Sequence, residues 1–286
     1  MRVFLQKRWF LLALGVLIPG GLLLGTSLSP TMLARGTEAL GENGQRVLEL
    51  LPRLTTALVL FLMSFSLDSR QLQAAMRSPG PVLWASVVNY GFIPLLAWPL
   101  MVLQSSPDFS IGLMIAASAP CTMAAASVWT RKAGGNDAVS LMVTLVTNGL
   151  CFLLTPLWMN LAVSAATEVR LDAELMMWRL VTAVLVPSLA GQLLRQIPGP
   201  AAFARKFKTP IGVVAQSCIL LIVALAAFKA GRQLVGTHGS PGLPSIVIVW
   251  TCAVAIHLAA MAVAISGSRR FGFSLADTAA TAFAGS

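Results

Sequence analysis

The chain has 286 residues, 57% hydrophobic and only 10% charged, with a mean hydropathy of +0.81 and a net charge of +10. A soluble domain carries about 25% charged residues, so this composition excludes one. The cations sit in short loops between apolar runs and aromatics are few, which excludes nucleic acid as the expected partner and points to membrane topology.

Arg2, Lys7 and Arg8 precede an apolar run from Trp9 to Leu28. That run is long enough to span and further spans follow, so it reads as a retained first helix rather than a signal peptide, softly broken at Pro19-Gly20-Gly21. A polar loop (Arg35, Glu38, Glu42, Arg46, Glu49) leads to a second helix at about 52–67, and Asp68 to Ser78 form a polar connection. The third helix, about 81–104, contains Asn89 and Pro94; the fourth covers 110–131 and the fifth 137–163. After Glu168–Glu174 come a sixth at 175–195, a seventh at 210–229 and an eighth at 244–266. A ninth begins near Ser274, and the chain stops at Ser286, short of the roughly 20 residues a bilayer needs. The four cysteines (Cys121, Cys151, Cys218, Cys252) lie in apolar runs without metal-type spacing and read as buried thiols.

The fourth helix organises the rest. Ala119-Pro120-Cys121-Thr122 interrupts it among small residues, and proline removes a donor and disfavours helical angles at Ala119. In hydrocarbon the freed backbone groups need protein or a wet cavity. Beyond Gly134-Gly135-Asn136, the fifth helix carries Ser140, Thr144 and Asn148 at i, i+4 and i+8, on one face. A break beside a polar stripe is how secondary transporters build ion and substrate sites. The plainer alternative is a kink at Pro120 with hydroxyls bonded to their own backbone.

Charge sets orientation. On the N-terminal side fall 13 of the 20 basic residues, against Asp68, Asp137 and Asp277; the other side has 7 basic and 7 acidic residues. The positive-inside rule then puts the N-terminus in the cytoplasm of a multi-pass protein of the cell (inner) membrane. Helix 6 starts about 166 residues after helix 1, and the same offset carries helices 2, 3 and 4 onto 7, 8 and 9. The expected organisation is an all-α integral membrane protein of inverted five-helix repeats, 1–165 (helices 1–5) and 166–286 (helices 6–9, incomplete), with helices 4 and 9 discontinuous. The chain ends inside helix 9, and a complete protein is expected to run about 40–60 residues further.

Asn89-Tyr90-Gly91-Phe92-Ile93-Pro94, Ala119-Pro120-Cys121-Thr122, and Arg131 through Thr144 with its Gly-Gly-Asn together resemble the bile acid:sodium symporter family. The likeness covers nearly the whole chain, and Phe-Ala-Gly-Ser at its end looks more like the SBF-like branch. The resemblance implies ten helices in a panel part (1, 2, 6, 7) and a core part (3–5, 8–10), with helices 4 and 9 crossing at their breaks. It also implies a first sodium site at Ser127, Ser140 and Thr144, and a second using Asn89, five residues before Pro94. Oxygen ligands suit such a small hard cation. Pro120, Cys121, Thr122 and Asn148 are the expected substrate-lining residues. Two departures stand out: the family's Ser-Asn falls on Ala126-Ser127, and the acid of its Glu-x-Gly-x-Gln motif falls on Phe283, before Gly285. A carboxylate shared between both sodium sites is therefore missing.

Other residues carry two readings each. His257, an ionisable group inside helix 8, is either functional or a neutral histidine bonded to a neighbouring helix. Gly21-x-x-x-Gly25 reads as internal helix packing, and Asp277 as a cap for helix 9. Cys121 is similar in placement to the cysteine of the related arsenite permeases and a soft ligand would suit such a solute, but a small residue that allows close backbone approach is the favoured reading.

The reading is a sodium-coupled symporter of an organic anion (bile-acid-like, or another carboxylate or sulfonate) working by alternating access. The alternatives are a metalloid permease using Cys121 and a transport-inactive membrane regulator or scaffold. No nucleophile–base set, HExxH or carboxylate pair lies inside a helix, so no catalytic residue and no enzyme activity is expected. No cofactor is expected beyond sodium as coupling ion. The expected partners are a small-molecule anion and the lipid bilayer, with the chain a monomer.

Overall fold

The computed structural model describes residues 2–28, 41–67, 79–166, 172–234 and 242–286, and among these there is helix but no strand. Among the described residues, seven helices are long and apolar enough to cross a membrane. They are α1 (Arg2–Ser27), α2 (Gly41–Ser66), α3 (Pro79–Leu103), α5 (Asp137–Ala166), α6 (Ala173–Gln196), α7 (Lys208–Leu234) and α8 (Leu243–Arg270). The fourth is in two pieces, α4a (Pro107–Ala117) and α4b (Met123–Lys132), and α9 covers Leu275–Gly285.

Three expectations need correcting. α1 runs unbroken through Pro19, because one lost hydrogen bond does not end a helix that gains nothing by unwinding in hydrocarbon. α2 starts at Gly41 rather than near 52: its first turns are polar, and hydropathy marks the width of the apolar layer, not the helix end. A short helix, Pro198–Lys206, opened by proline at its first turn, lies where a loop was expected. Arg35, Glu38, Asp68, Arg70, Arg77, Glu168 and Arg170 of the charge map lie outside the described residues.

The chain divides into two compact units, Met1–Ser66 with Val186–Pro241, and Leu67–Leu185 with Gly242–Ser286. The first holds α1, α2 and α7, the second α3, α4, α5, α8 and α9, and α6 contributes to both. Each unit thus draws on both halves of the sequence, as the panel and core of the resemblance do.

In the first unit, glycine sets the spacing of α1 and α7. A methyl on Gly25 would meet Gly231 Cα and Arg232 N at 2.9 Å, and one on Gly231 would meet the Leu22 backbone at 3.0 Å. This is the close backbone approach that small-xxx-small patterns permit. α2 and α6 are tied by hydrogen bonds from Ser64 Oγ to Ser188 O (2.6 Å) and from Gln192 Nε2 to Ser64 O (2.6 Å).

In the second unit, Val88, Ala97, Met101, Met114, Ala260 and Ala264 build an apolar core shared by α3, α4a and α8. The Trp84 indole donates to Ala264 O at 3.0 Å and occupies the space left by the missing side chain of Gly267. A second cluster, including Val82, Ala85, Val139, Val143 and Ala280, joins α3, α5 and α9 around the α4 break.

Candidate functional site

Ser118 to Thr122 are non-helical, so α4a and α4b leave a set of orphan backbone groups in the middle of the apolar layer. The polar face of α5 meets them. Thr155 Oγ1 donates to Ser118 O (2.7 Å), Asn148 Nδ2 donates to Cys121 O (3.0 Å), and Cys121 N donates to Thr147 Oγ1 (3.2 Å). Asn148 also donates to Thr144 O at 2.7 Å. The stripe recognised at Ser140, Thr144 and Asn148 therefore extends to Thr147 and Thr155, and much of it stabilises the break itself.

α3 is irregular at the same place. Val88–Phe92 form a π-helical turn ahead of Pro94. Proline has no N–H for the carbonyl four residues back, so Tyr90 O is free, and Trp158 Nε1 donates to it at 2.7 Å. Tyr90 OH in turn donates to Thr147 O at 3.0 Å. The turn carries Asn89, which is 6% exposed and has an Oδ1 without a hydrogen-bond partner.

The turn from α4b to α5 explains the Gly-Gly-Asn motif. Gly134 has φ +70°, which suits glycine as the residue after a helix end, and Gly135 N donates to Thr130 O at 2.8 Å. A side chain on Gly135 would lie 3.0 Å from Ala279 Cβ and 3.1 Å from Ala276 O of α9. Asn136 accepts from Ala138 N (3.2 Å) at the start of α5 and donates through Nδ2 to Asp277 Oδ1 (2.8 Å). Asp277 N donates to Ser274 Oγ (3.1 Å), so Ser274 and Asp277 cap α9 in the expected manner.

A cavity of about 620 Å³ opens against the break. Asn89, Pro120, Cys121 and Thr122 line it, together with Trp129 and His257. Phe283 lines it too, so an aromatic ring stands where the resemblance puts a carboxylate. Asn148 lies behind the break, and Ser127, Ser140 and Thr144 are buried outside the cavity lining. Ser127 Oγ donates to Asp137 Oδ1, and Arg131 Nε lies 3.6 Å from Asp137 Oδ2. Thr144 Oγ1 donates to Ser140 O (3.0 Å) and lies 3.5 Å from Cys121 Sγ. Ser140 Oγ is fully buried with no partner, and so is Thr130 Oγ1. Two of the residues read as cation ligands, Asn89 and Ser140, thus hold a buried oxygen without a hydrogen-bond partner.

His257 and Trp129 were not among the residues singled out as lining. His257 Nδ1 lies 3.2 Å from Ser286 O, and its position inside an apolar helix was the signal that could have placed it at the site. Trp129 offers no comparable signal, since an aromatic on a membrane helix is usually packing or lipid contact.

Seven apolar spans, a helix broken in the apolar layer and a cavity at the break define a multi-pass membrane protein built as secondary transporters are. The chain belongs to the SBF-like CPA transporter family, whose model matches residues 21–286. It is similar to an uncharacterized protein of Pseudomonas aeruginosa, PA2026, with 29% identity over 245 residues, 84% of this chain and 72% of that one. It is 25% identical to sodium/bile acid cotransporter 7-B of Xenopus laevis, over 98% of this chain and 78% of that protein. YbaS, an uncharacterized protein of Bacillus subtilis, is 29% identical over 59% of this chain, and the match spans 55% of YbaS.

Proposed function

We propose that this chain forms part of a secondary active transporter that moves an organic anion, bile-acid-like or another carboxylate or sulfonate, across the cell membrane by alternating access. One observation carries the reading: the cavity faces the N-terminus of α4b, where Thr122 supplies no side-chain cap. Uncapped backbone N–H groups and the positive end of the helix dipole favour an anionic group there. The family and the cotransporter relative support the same class of activity.

Sodium is the proposed coupling ion, held by Ser127, Ser140 and Thr144, with Asn89 at a second position. The unpartnered oxygens of Ser140 and Asn89 support this, because burying a polar atom without a partner costs about 1–3 kcal/mol and a cation would relieve that cost. Phe283 removes one carboxylate, and the one beside the first position is Asp137, which accepts from Ser127 and is paired with Arg131 at 3.6 Å. The N-terminus is proposed to be cytoplasmic, with the Arg131-Lys132 and Arg205-Lys206-Lys208 segments on the same side.

The test is uptake of taurocholate, whose sulfonate stays charged at all working pH values, into vesicles reconstituted with the protein. Uptake that follows an inward sodium gradient, and falls in Thr144→Val, supports the reading. Equal uptake under sodium and potassium gradients removes sodium coupling. Failure of any of several carboxylates and sulfonates to enter favours the regulator reading.

A further inference from the structure

The helix Pro198–Lys206 lies between the end of α6 at Gln196 and the start of α7 at Lys208, so it is held at a membrane boundary by two spanning helices. It is fixed on one side only. Ala204 is fully buried in a small cluster with Phe65 of α2 and Ile211 of α7, and Arg195 Nη1 donates to Phe65 O at 3.2 Å. The other faces are open. Phe203 and Phe207, four residues apart on one face, meet with ring centroids 4.7 Å apart and planes tilted by 39°, yet are 54% and 36% exposed. Arg205, Lys206 and Lys208 are exposed beside them, with Lys206 Nζ 5.5 Å from the Phe207 ring.

Among the described residues no carboxylate is paired with these cations. No Asp or Glu occurs between Glu174 and Asp277, and the ion pair found among the described residues is Arg131–Asp137. Retaining a loop in the cytoplasm requires cations but no exposed aromatic pair. Aromatics and cations together on a helix lying along a bilayer boundary are the composition of an interfacial anchor.

We propose that Pro198–Lys206 with Phe207 and Lys208 forms a docking surface for an anionic phospholipid leaflet. Phe203 and Phe207 enter the boundary between headgroups and acyl chains, and Arg205, Lys206 and Lys208 meet headgroup phosphates. Each cation near an anionic surface is worth about fivefold in the docking equilibrium, an attraction that salt screens. The surface belongs to the first unit and does not depend on which solute the second unit carries.

The whole chain, placed in nanodiscs of phosphatidylcholine alone or with a third phosphatidylglycerol, tests this by amide hydrogen exchange over residues 198–208. Exchange should slow at least several-fold when phosphatidylglycerol is present, and the effect should shrink at high salt. In Arg205→Gln/Lys206→Gln/Lys208→Gln that slowing should vanish, while thermal stability in phosphatidylcholine alone stays at the parental value, because Ala204 still pins the helix. Phe203→Ser should speed exchange in both lipids. Equal exchange in the two lipids, or a triple variant that still responds to phosphatidylglycerol, overturns the proposal. Inorganic phosphate reproducing the slowing in phosphatidylcholine overturns it as well, leaving an ion site instead of a lipid surface.

Discussion

The α1–α7 contact of the first unit and the α4–α5 contact of the second solve the same problem in opposite ways. In α1–α7 both helices stay continuous, and Gly21, Gly25 and Gly231 let the two backbones close on each other. In α4–α5 one helix is broken between Ser118 and Thr122, and Thr147, Asn148 and Thr155 bond the freed Cys121 N, Cys121 O and Ser118 O across the interface. Proline alone does not make this difference. Pro19, Pro52, Pro99 and Pro156 all lie inside continuous helices. Pro120 coincides with a full break because side chains of α5 are in place to receive what it frees. The first contact can only hold; the second leaves a cavity and helix ends pointing into it.

The contrast is broken most severely by Gly25→Val. The added side chain would press on the Arg232 and Gly231 backbone, which cannot rotate away, so a loss of about 3 kcal/mol or more is expected in thermal or denaturant unfolding. Next comes Asn148→Leu, which leaves Cys121 O without a partner at similar volume. Its expected cost is about 1–3 kcal/mol, with loss of uptake, while a reporter for the first unit such as Trp9 fluorescence should be unchanged. Ser140→Ala goes the other way. Its hydroxyl has no partner, so in sodium-free buffer the variant should match the parent or gain up to about 1 kcal/mol, and a clear loss of stability would show a bond that the geometry does not contain. Cys121→Ser should change least: anion uptake is expected to stay within about twofold, since serine keeps the size and removes only a soft ligand. Loss confined to arsenite would instead favour the metalloid permease.

Most of this contrast was legible in the sequence, and the misses have physical causes. The break could be read at Ala119-Pro120-Cys121-Thr122 because proline, small neighbours and a facing polar stripe occur together. Pro19-Gly20-Gly21 offers the same local chemistry without the stripe, and α1 stays continuous. The first turns of α2 were hidden because polar residues outside the apolar layer look alike in helix and loop. The hydrogen bond from Ser127 to Asp137 depends on how the α4b–α5 turn closes, which no spacing rule encodes. His257 announced itself as an ionisable group, but only the fold shows that α8 turns it towards the cavity.

The proposal at the centre is a cation site in the second unit at Ser127, Ser140 and Thr144, with Asn89 at a second position. Sodium-dependent thermal stabilisation, read against potassium at equal ionic strength, tests it most directly in the parent, Ser140→Ala, Thr144→Val and the control Thr56→Val, whose hydroxyl only donates to Pro52 O at 2.8 Å in α2. A bound ion stabilises by about 0.4 kcal/mol when its concentration equals the dissociation constant and by about 2.7 kcal/mol at a hundredfold excess. The account predicts a sodium-specific rise in melting temperature in the parent and Thr56→Val that shrinks in Ser140→Ala and Thr144→Val. A rise of the same size in all four proteins, or one that potassium reproduces, would contradict it.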